Sequence, residues 1–135
     1  MKYKFLEHTA DVKFQAFGKN SEEVFENSAL ALKELICGKI KIKGERNKII
    51  KAKGKDFESL LYNFLEEIIY FVDAENFIIS KINEIKIKDF NLNAKISGDK
   101  VSNYNFNNEV KAVTYNEMFV KKIKRKWISQ VVLDV

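Results

Sequence analysis

The sequence contains no proline, and its five glycines stand singly at positions 18, 38, 44, 54 and 98. No Pro/Gly-rich stretch divides the chain, so its 135 residues are expected to form a single domain, 1–135. One cysteine, Cys37, excludes an internal disulfide, and a thiol without clustered Cys or His excludes a zinc framework. Such a residue is expected to pack as a small hydrophobe, here at a helix end. One histidine, His8, is too few for a multi-histidine metal site. There is no phosphate-cradling Gly-rich loop and no Cys-x-x-Cys pair, so the usual enzyme signatures are missing. No apolar run approaches the roughly 18 residues that a membrane-spanning helix requires. Met1 to Asp11 alternate charged and apolar residues where a secretion signal needs a continuous apolar segment. The expected setting is a soluble, cytoplasmic protein with no membrane partner. Arginine is scarce as well. Of 24 basic residues only Arg46 and Arg125 carry the guanidinium fork, so the net charge of +5 comes without the groups best suited to bidentate contacts with phosphate and guanine.

Apolar material is plentiful. Hydrophobic residues make up 46% of the chain, eleven of them Phe, beside 32% charged residues. Most lysines alternate with isoleucines, as in Lys39-Ile40-Lys41-Ile42-Lys43 and Lys86-Ile87-Lys88, the pattern of a sheet with one wet face. The denser cluster Lys121, Lys122, Lys124, Arg125, Lys126 reads either as an electrostatic docking patch or as a charged hairpin turn.

Val12, Phe14 and Ala16 alternate with Lys13 and Gln15, which predicts a strand with one buried face. A helix follows, capped by Asn20 or Ser21, carrying Val24, Phe25, Ala29, Leu32, Leu35 and Ile36 at helical spacing and ending at Gly38. Two lysine-bearing strands are expected near Ile40–Lys43 and Lys48–Lys53. A second helix opens at Asp56, and its wide stripe from Phe57 to Val72 predicts that it is the more deeply packed of the two. Beyond it the pattern predicts strands at Phe77–Ile87, Leu92–Ile96, Val110–Tyr115, Phe119–Lys124 and Trp127–Leu133. Turns are expected at Lys88-Asp89-Phe90-Asn91 and Ser97-Gly98-Asp99-Lys100. The stretch from Val101 to Glu109, rich in asparagine, reads as a polar surface loop. The fold class is α+β: a mostly antiparallel sheet with two helices on one face, in an order that hints at a duplicated strand-helix-strand-strand unit.

Few residues invite chemistry. His8 lies in the polar run Glu7-His8-Thr9-Ala10-Asp11, where a hydrogen-bonding structural role is commoner than a catalytic one. Asp11 and the penultimate Asp134 would meet if the first and last strands are neighbours, together with the carboxylate of Val135. Three hard oxygen donors suit Ca2+ or Mg2+ better than zinc. The alternative is a capping or turn Asp at one end and a frayed terminus at the other. Lys111, flanked by apolar residues in Val110-Lys111-Ala112-Val113-Thr114-Tyr115, is either partly buried or extends along the sheet to water.

Taken in order, His8-Thr9-Ala10-Asp11, the helix Glu23-Val24-Phe25-Glu26-Asn27-Ser28-Ala29-Leu30-Ala31-Leu32, the helix opening at Asp56-Phe57-Glu58-Ser59-Leu60-Leu61, the strand Val110 to Tyr115 and the ending Leu133-Asp134-Val135 resemble the archease family over the whole chain. The resemblance implies an accessory protein and not an enzyme. Archeases assist the RtcB-type RNA ligase, which joins tRNA exon halves and other broken RNAs, by promoting GTP-dependent guanylylation of the ligase's histidine and repeated turnover. RNA would be met indirectly, through the ligase. The resemblance implies Asp11 and Asp134 as metal ligands, Val135 as a third, and Lys111 as a functional neighbour, with Ca2+ the first expectation for the cofactor and Mg2+ or Mn2+ the alternatives. Two positions depart from the family pattern: Tyr104 and Asn116 stand where many archeases carry histidine.

Two competing readings belong to other classes. One is an RNA-binding module delivering substrate, using Lys121 to Lys126 and exposed aromatics such as Tyr104 and Phe106. The other is a metal-dependent hydrolase using Asp11, Asp134 and His8.

Overall fold

The computed structural model describes residues 1–7 and 11–135. Its elements run β1 (Tyr3–Leu6), β2 (Val12–Gly18), α1 (Ser21–Cys37), β3 (Arg46–Lys53), α2 (Phe57–Ala74), β4 (Phe77–Lys88), β5 (Asn91–Lys100), β6 (Ala112–Ile123) and β7 (Lys126–Asp134), with a single 3-10 turn at Val101–Asn103. Both helices begin where the capping residues predict. The Asn20 side chain accepts the Glu23 N–H at 2.8 Å, and Asp56 and Ser59 form a reciprocal capping box. Gly38 ends α1 at φ 69°, its N–H donating to the Glu34 carbonyl.

The strands divide between two antiparallel sheets and do not form one: a four-stranded sheet in the order β1-β2-β7-β6, and a three-stranded sheet in the order β3-β5-β4. Each helix packs against strands of both sheets, so each sheet has helices on one face, and buried side chains of all these layers form one apolar cluster. The half-buried aromatic chain Trp127–Phe57–Phe90 runs along the edge of this core. The Phe57 ring of α2 meets Trp127 of β7 at 5.1 Å and Phe90 of the β4–β5 turn at 5.0 Å, both edge-on.

The expectation that α2 is the more deeply packed helix does not hold. α1 buries nine of its 17 residues and α2 eight of its 18. The apolar stripe undercounts α1 because part of its buried face is small or polar. Asn27 donates to the Phe17 carbonyl at 2.6 Å, and the Ser28 and Ser129 hydroxyls share a hydrogen bond at 2.8 Å against β7.

Three strand expectations also change. Ile40 to Glu45 forms no strand. Its backbone groups bond to side chains instead, with the Ile42 carbonyl accepting from Ser80 Oγ and the Lys43 N–H donating to the Tyr104 hydroxyl, while the Ile42 side chain is buried. Ser97 to Lys100 is no turn but the end of β5, paired with β4 as far as Phe77↔Lys100. Finally, the two runs flanking Asn116 are one strand, β6, broken by a wide bulge between Thr114 and Phe119.

Candidate functional site at one end of the four-stranded sheet

β7 is an inner strand, with β2 on one side and β6 on the other. Val12 pairs with Leu133, so Asp11 lies one residue beyond that pair, beside Asp134. On the other flank Ala112 pairs with Asp134, and the Lys111 N–H donates to the Asp134 carbonyl at 2.8 Å. The register therefore brings Asp11, Lys111, Asp134 and Val135 to a single sheet end, from three distant parts of the sequence. Asp134, Val135 and Lys111 are exposed and Asp11 half-exposed. Strand alternation puts Asp134 on the outer face, away from the helices, and Val113 on the opposite one; extended one residue past the ends of β2 and β6, it puts Asp11 with Asp134 and Lys111 with Val113. Lys111 thus reaches water, and its main chain, not its side chain, is tied to Asp134. His8, with Thr9 and Ala10, lies outside the described residues. Among the described residues no three His, Cys, Asp or Glu side chains gather closely enough to hold a metal ion.

The same outer face carries a polar ladder that the sequence patterns do not single out. Gln15 Nε2 donates to Gln130 Oε1 at 2.9 Å, Gln130 Nε2 donates to the Glu117 carbonyl at 2.8 Å, and Lys13 Nζ lies 3.4 Å from Glu117 Oε1. This ladder holds the β6 bulge down on the sheet. Glu117 adopts φ 52° within the bulge, and the neighbouring Tyr115 ring stacks on Tyr62 of α2 at 4.3 Å with 5° between planes. The available signal is Gln130, a polar residue next to Ser129 and directly before the apolar run Val131 to Leu133.

Other candidates resolve into structural roles. Tyr104 is half-buried; its hydroxyl donates to Asp99 Oδ2 at 2.7 Å and accepts the Lys43 N–H at 2.9 Å. Phe106 is also half-buried and packs on the core, so the expected exposed stacking aromatics are not there. Asn116 is exposed on the bulge, its N–H directed at Thr114 Oγ1 at 3.3 Å. Cys37 is buried at the end of α1, and burial pushes its thiol above the ordinary range, away from reactivity. The Lys121 to Lys126 cluster forms the β6–β7 hairpin, at the opposite end of the sheet from the aspartates. Two of its ammonium groups lie over rings, Lys121 over Phe119 at 4.2 Å and Lys126 over Phe17 at 4.5 Å. No helix of the described residues is long and apolar enough to cross a membrane.

This is an α+β protein in which two antiparallel sheets share two helices and a pair of aspartates closes one end of the larger sheet. The profile of the Archease protein family (MTH1598/TM1083) matches residues 3–135. Protein archease of Methanosarcina barkeri is 38% identical over 139 residues, covering 98% of this chain and 95% of that protein. Protein archease of Pyrococcus abyssi is 36% identical over 141 residues, covering 99% of each. The solution structure of Methanobacterium thermoautotrophicum protein 1598 superposes with a TM-score of 0.83 at 31% identity, covering 98% of both chains. The chain belongs to the archease family. The crystal structure of an archease from Thermotoga maritima shares the fold, with a TM-score of 0.68 at 21% identity over 98% of this chain and 96% of that one.

Proposed function

We propose that this protein is the activator of an RtcB-type RNA ligase in tRNA splicing and RNA repair, promoting GTP-dependent guanylylation of the ligase's histidine and so repeated turnover. Family membership supports the accessory role. The observation that carries the site is the adjacency of Asp11 and Asp134 at an accessible sheet end, with Lys111 hydrogen-bonded to Asp134 through its main chain.

Among the described residues the donors offered there are oxygens: two aspartate carboxylates and the terminal carboxylate of Val135. Such a set fits a hard divalent cation, Ca2+ first, and falls short of the roughly six to eight oxygens that Ca2+ takes, which leaves room for water and for groups of the ligase or of GTP. A cation held there would supply neutralisation of phosphate charge during transfer to the ligase histidine. The chain's own residues do the rest. Asp11, just before β2, and Asp134, at the end of β7, set the donor positions, and the β2–β7 ladder holds the two strand ends beside each other as the sheet end enters the ligase site. Lys111, on the other face of the same end, offers a cation to an anionic group of the ligase complex. No nucleophile is needed on this chain.

The test is multiple-turnover RNA joining and histidine guanylylation by an RtcB-type ligase from the same source, with the protein at substoichiometric amounts. Stimulation by the wild type and its loss in folded Asp11→Ala and Asp134→Ala variants is the expected outcome. An active ligase that the wild type does not stimulate would refute the reading. A separate readout addresses the cation: by calorimetry, residues appended after Val135 should weaken Ca2+ binding more than residues added before Met1, and equal effects would remove Val135 from the ligand set.

A further inference from the structure

The three-stranded sheet turns its outer face to solvent, and its register builds a regular pattern there. Lys51 pairs with Asn93, which pairs with Lys86; two residues further on, Lys53 pairs with Asn91, which pairs with Lys88. Two Lys–Asn–Lys rows therefore lie side by side. Strand geometry spaces the rows by about 6.6 Å and separates the lysine columns by about 9.6 Å, with asparagines between. All six side chains are exposed and line a shallow groove of about 330 Å³ along β5. A second depression of about 460 Å³, beside Lys48 and Lys95, continues along the same strand.

Nothing nearby balances this charge in full. Lys86 pairs with Glu84 at 3.2 Å, but Lys51, Lys53 and Lys88 stand in no ion pair among the described residues. Acidic residues gather elsewhere: from Asp56 to Glu75, across α2, there is not one Lys or Arg. Cations held around one groove repel each other, a local cost that an anion seated between them would remove.

We infer that this groove binds the phosphodiester backbone of RNA. The cations are spread too widely for one phosphate and follow the length of a strand, which suits a linear polyanion. Asparagine amides between the columns can donate to phosphate oxygens. The lining has neither an aromatic ring to stack on bases nor an arginine to read them, so binding is independent of sequence. The choice of RNA among polyanions rests on the ligase reading above; the groove lies on a different sheet from the aspartate pair.

The experiment is fluorescence anisotropy with a labelled RNA hairpin and no ligase, so it stands or falls apart from the activation assay. Wild type is expected to bind at about 50 mM salt and to release steeply toward about 200 mM. The exposed-site variant Lys51→Gln/Lys53→Gln/Lys88→Gln should lose about tenfold or more in affinity, and its log–log salt slope should fall by about two to three, given roughly 0.7 to 0.9 per phosphate contact. Lys121→Gln/Lys122→Gln/Lys124→Gln, in the hairpin at the end of the other sheet, should bind much as wild type does. The inference is overturned by wild type that ignores RNA at low salt, by a sheet variant with unchanged affinity and slope, by a hairpin variant that loses as much, or by polyglutamate competing as well as unlabelled RNA at equal charge, which would mark an acidic-protein surface.

Discussion

Asp99 is a carboxylate with only 5% of its surface exposed, and it remains ionised because three donors converge on it: the Tyr104 hydroxyl at 2.7 Å, the Lys100 N–H at 2.8 Å and the Asn103 amide at 3.1 Å. The Tyr104 hydrogen bond is the foremost cause holding its carboxyl below the usual range, followed by the Lys100 N–H. A depressed folded-state value gives stability that is complete above the unfolded value of about 3.9 and is lost as pH falls through the lower folded value. Tyr104→Phe removes the donor and leaves the Lys43 N–H without its acceptor. The variant should melt below wild type at neutral pH, and the gap should narrow in acid, as pH falls through the depressed folded-state value of Asp99 and the carboxyl protonates in both proteins. A gap that stays the same at the two pH values would show that Asp99 is not what Tyr104 stabilises. Tyr104 also shows what residue types alone conceal. Its position in an asparagine-rich run suggested a wet loop aromatic, whereas its partners come from Lys43 and Asp99, one of them distant in sequence. The aspartate pair was more legible, because Asp11 and Asp134 each adjoin a clear strand pattern and need only one assumption, that β2 and β7 are neighbours. Family likeness named them; the register explains how they meet.

At the scale of elements, both helix starts, the end of α1 at Gly38 and the β4–β5 turn follow from local chemistry and were readable. Asp89 and Phe90 both take positive φ, 50° and 57°, as a tight two-residue hairpin loop requires. The errors fall where a distant segment overrides local preference. Ser97-Gly98-Asp99-Lys100 has turn-forming composition, yet it is strand, because Gly98 is needed for close approach and not for a bend. A Cβ there would run into the Ile78 carbonyl of β4 and come within 2.6 Å of the Phe77 ring. Ile40 to Lys43 has strand composition, yet its backbone is held by Ser80 and Tyr104 side chains. Gly98→Ala should therefore cost about 3 kcal/mol, the upper end for overpacking, since the obstructing atoms include backbone of a paired strand. Chemical denaturation of the two proteins measures this. A loss within the roughly 0.5 kcal/mol of an ordinary surface substitution would mean that β4 and β5 separate easily at that point.

At the scale of the whole molecule, the alternation pattern told strands from helices but could not tell one sheet from two, since strand partners are chosen across the chain and β7 returns to lie beside β2. What joins the two sheets is the pair of helices, each packed on strands of both, with the ring of Phe57 also in contact with Trp127 on one side and Phe90 on the other. A core shared in this way makes each sheet's stability depend on the other's. Trp127, the sole tryptophan, sits in β7 of the four-stranded sheet, so its fluorescence reports that sheet, while far-UV circular dichroism reports both. The two signals should melt together, and Gly98→Ala, a lesion confined to the three-stranded sheet, should lower the midpoint of Trp127 fluorescence as much as that of circular dichroism. If the fluorescence midpoint stayed in place while the dichroism split into two steps, the sheets would be independent folding units and Phe57 a contact between them instead of part of a common core. The equal shift is expected because α2, which packs on strands of both sheets, cannot keep Leu61, Phe64 and Ile68 buried once either sheet has left its face.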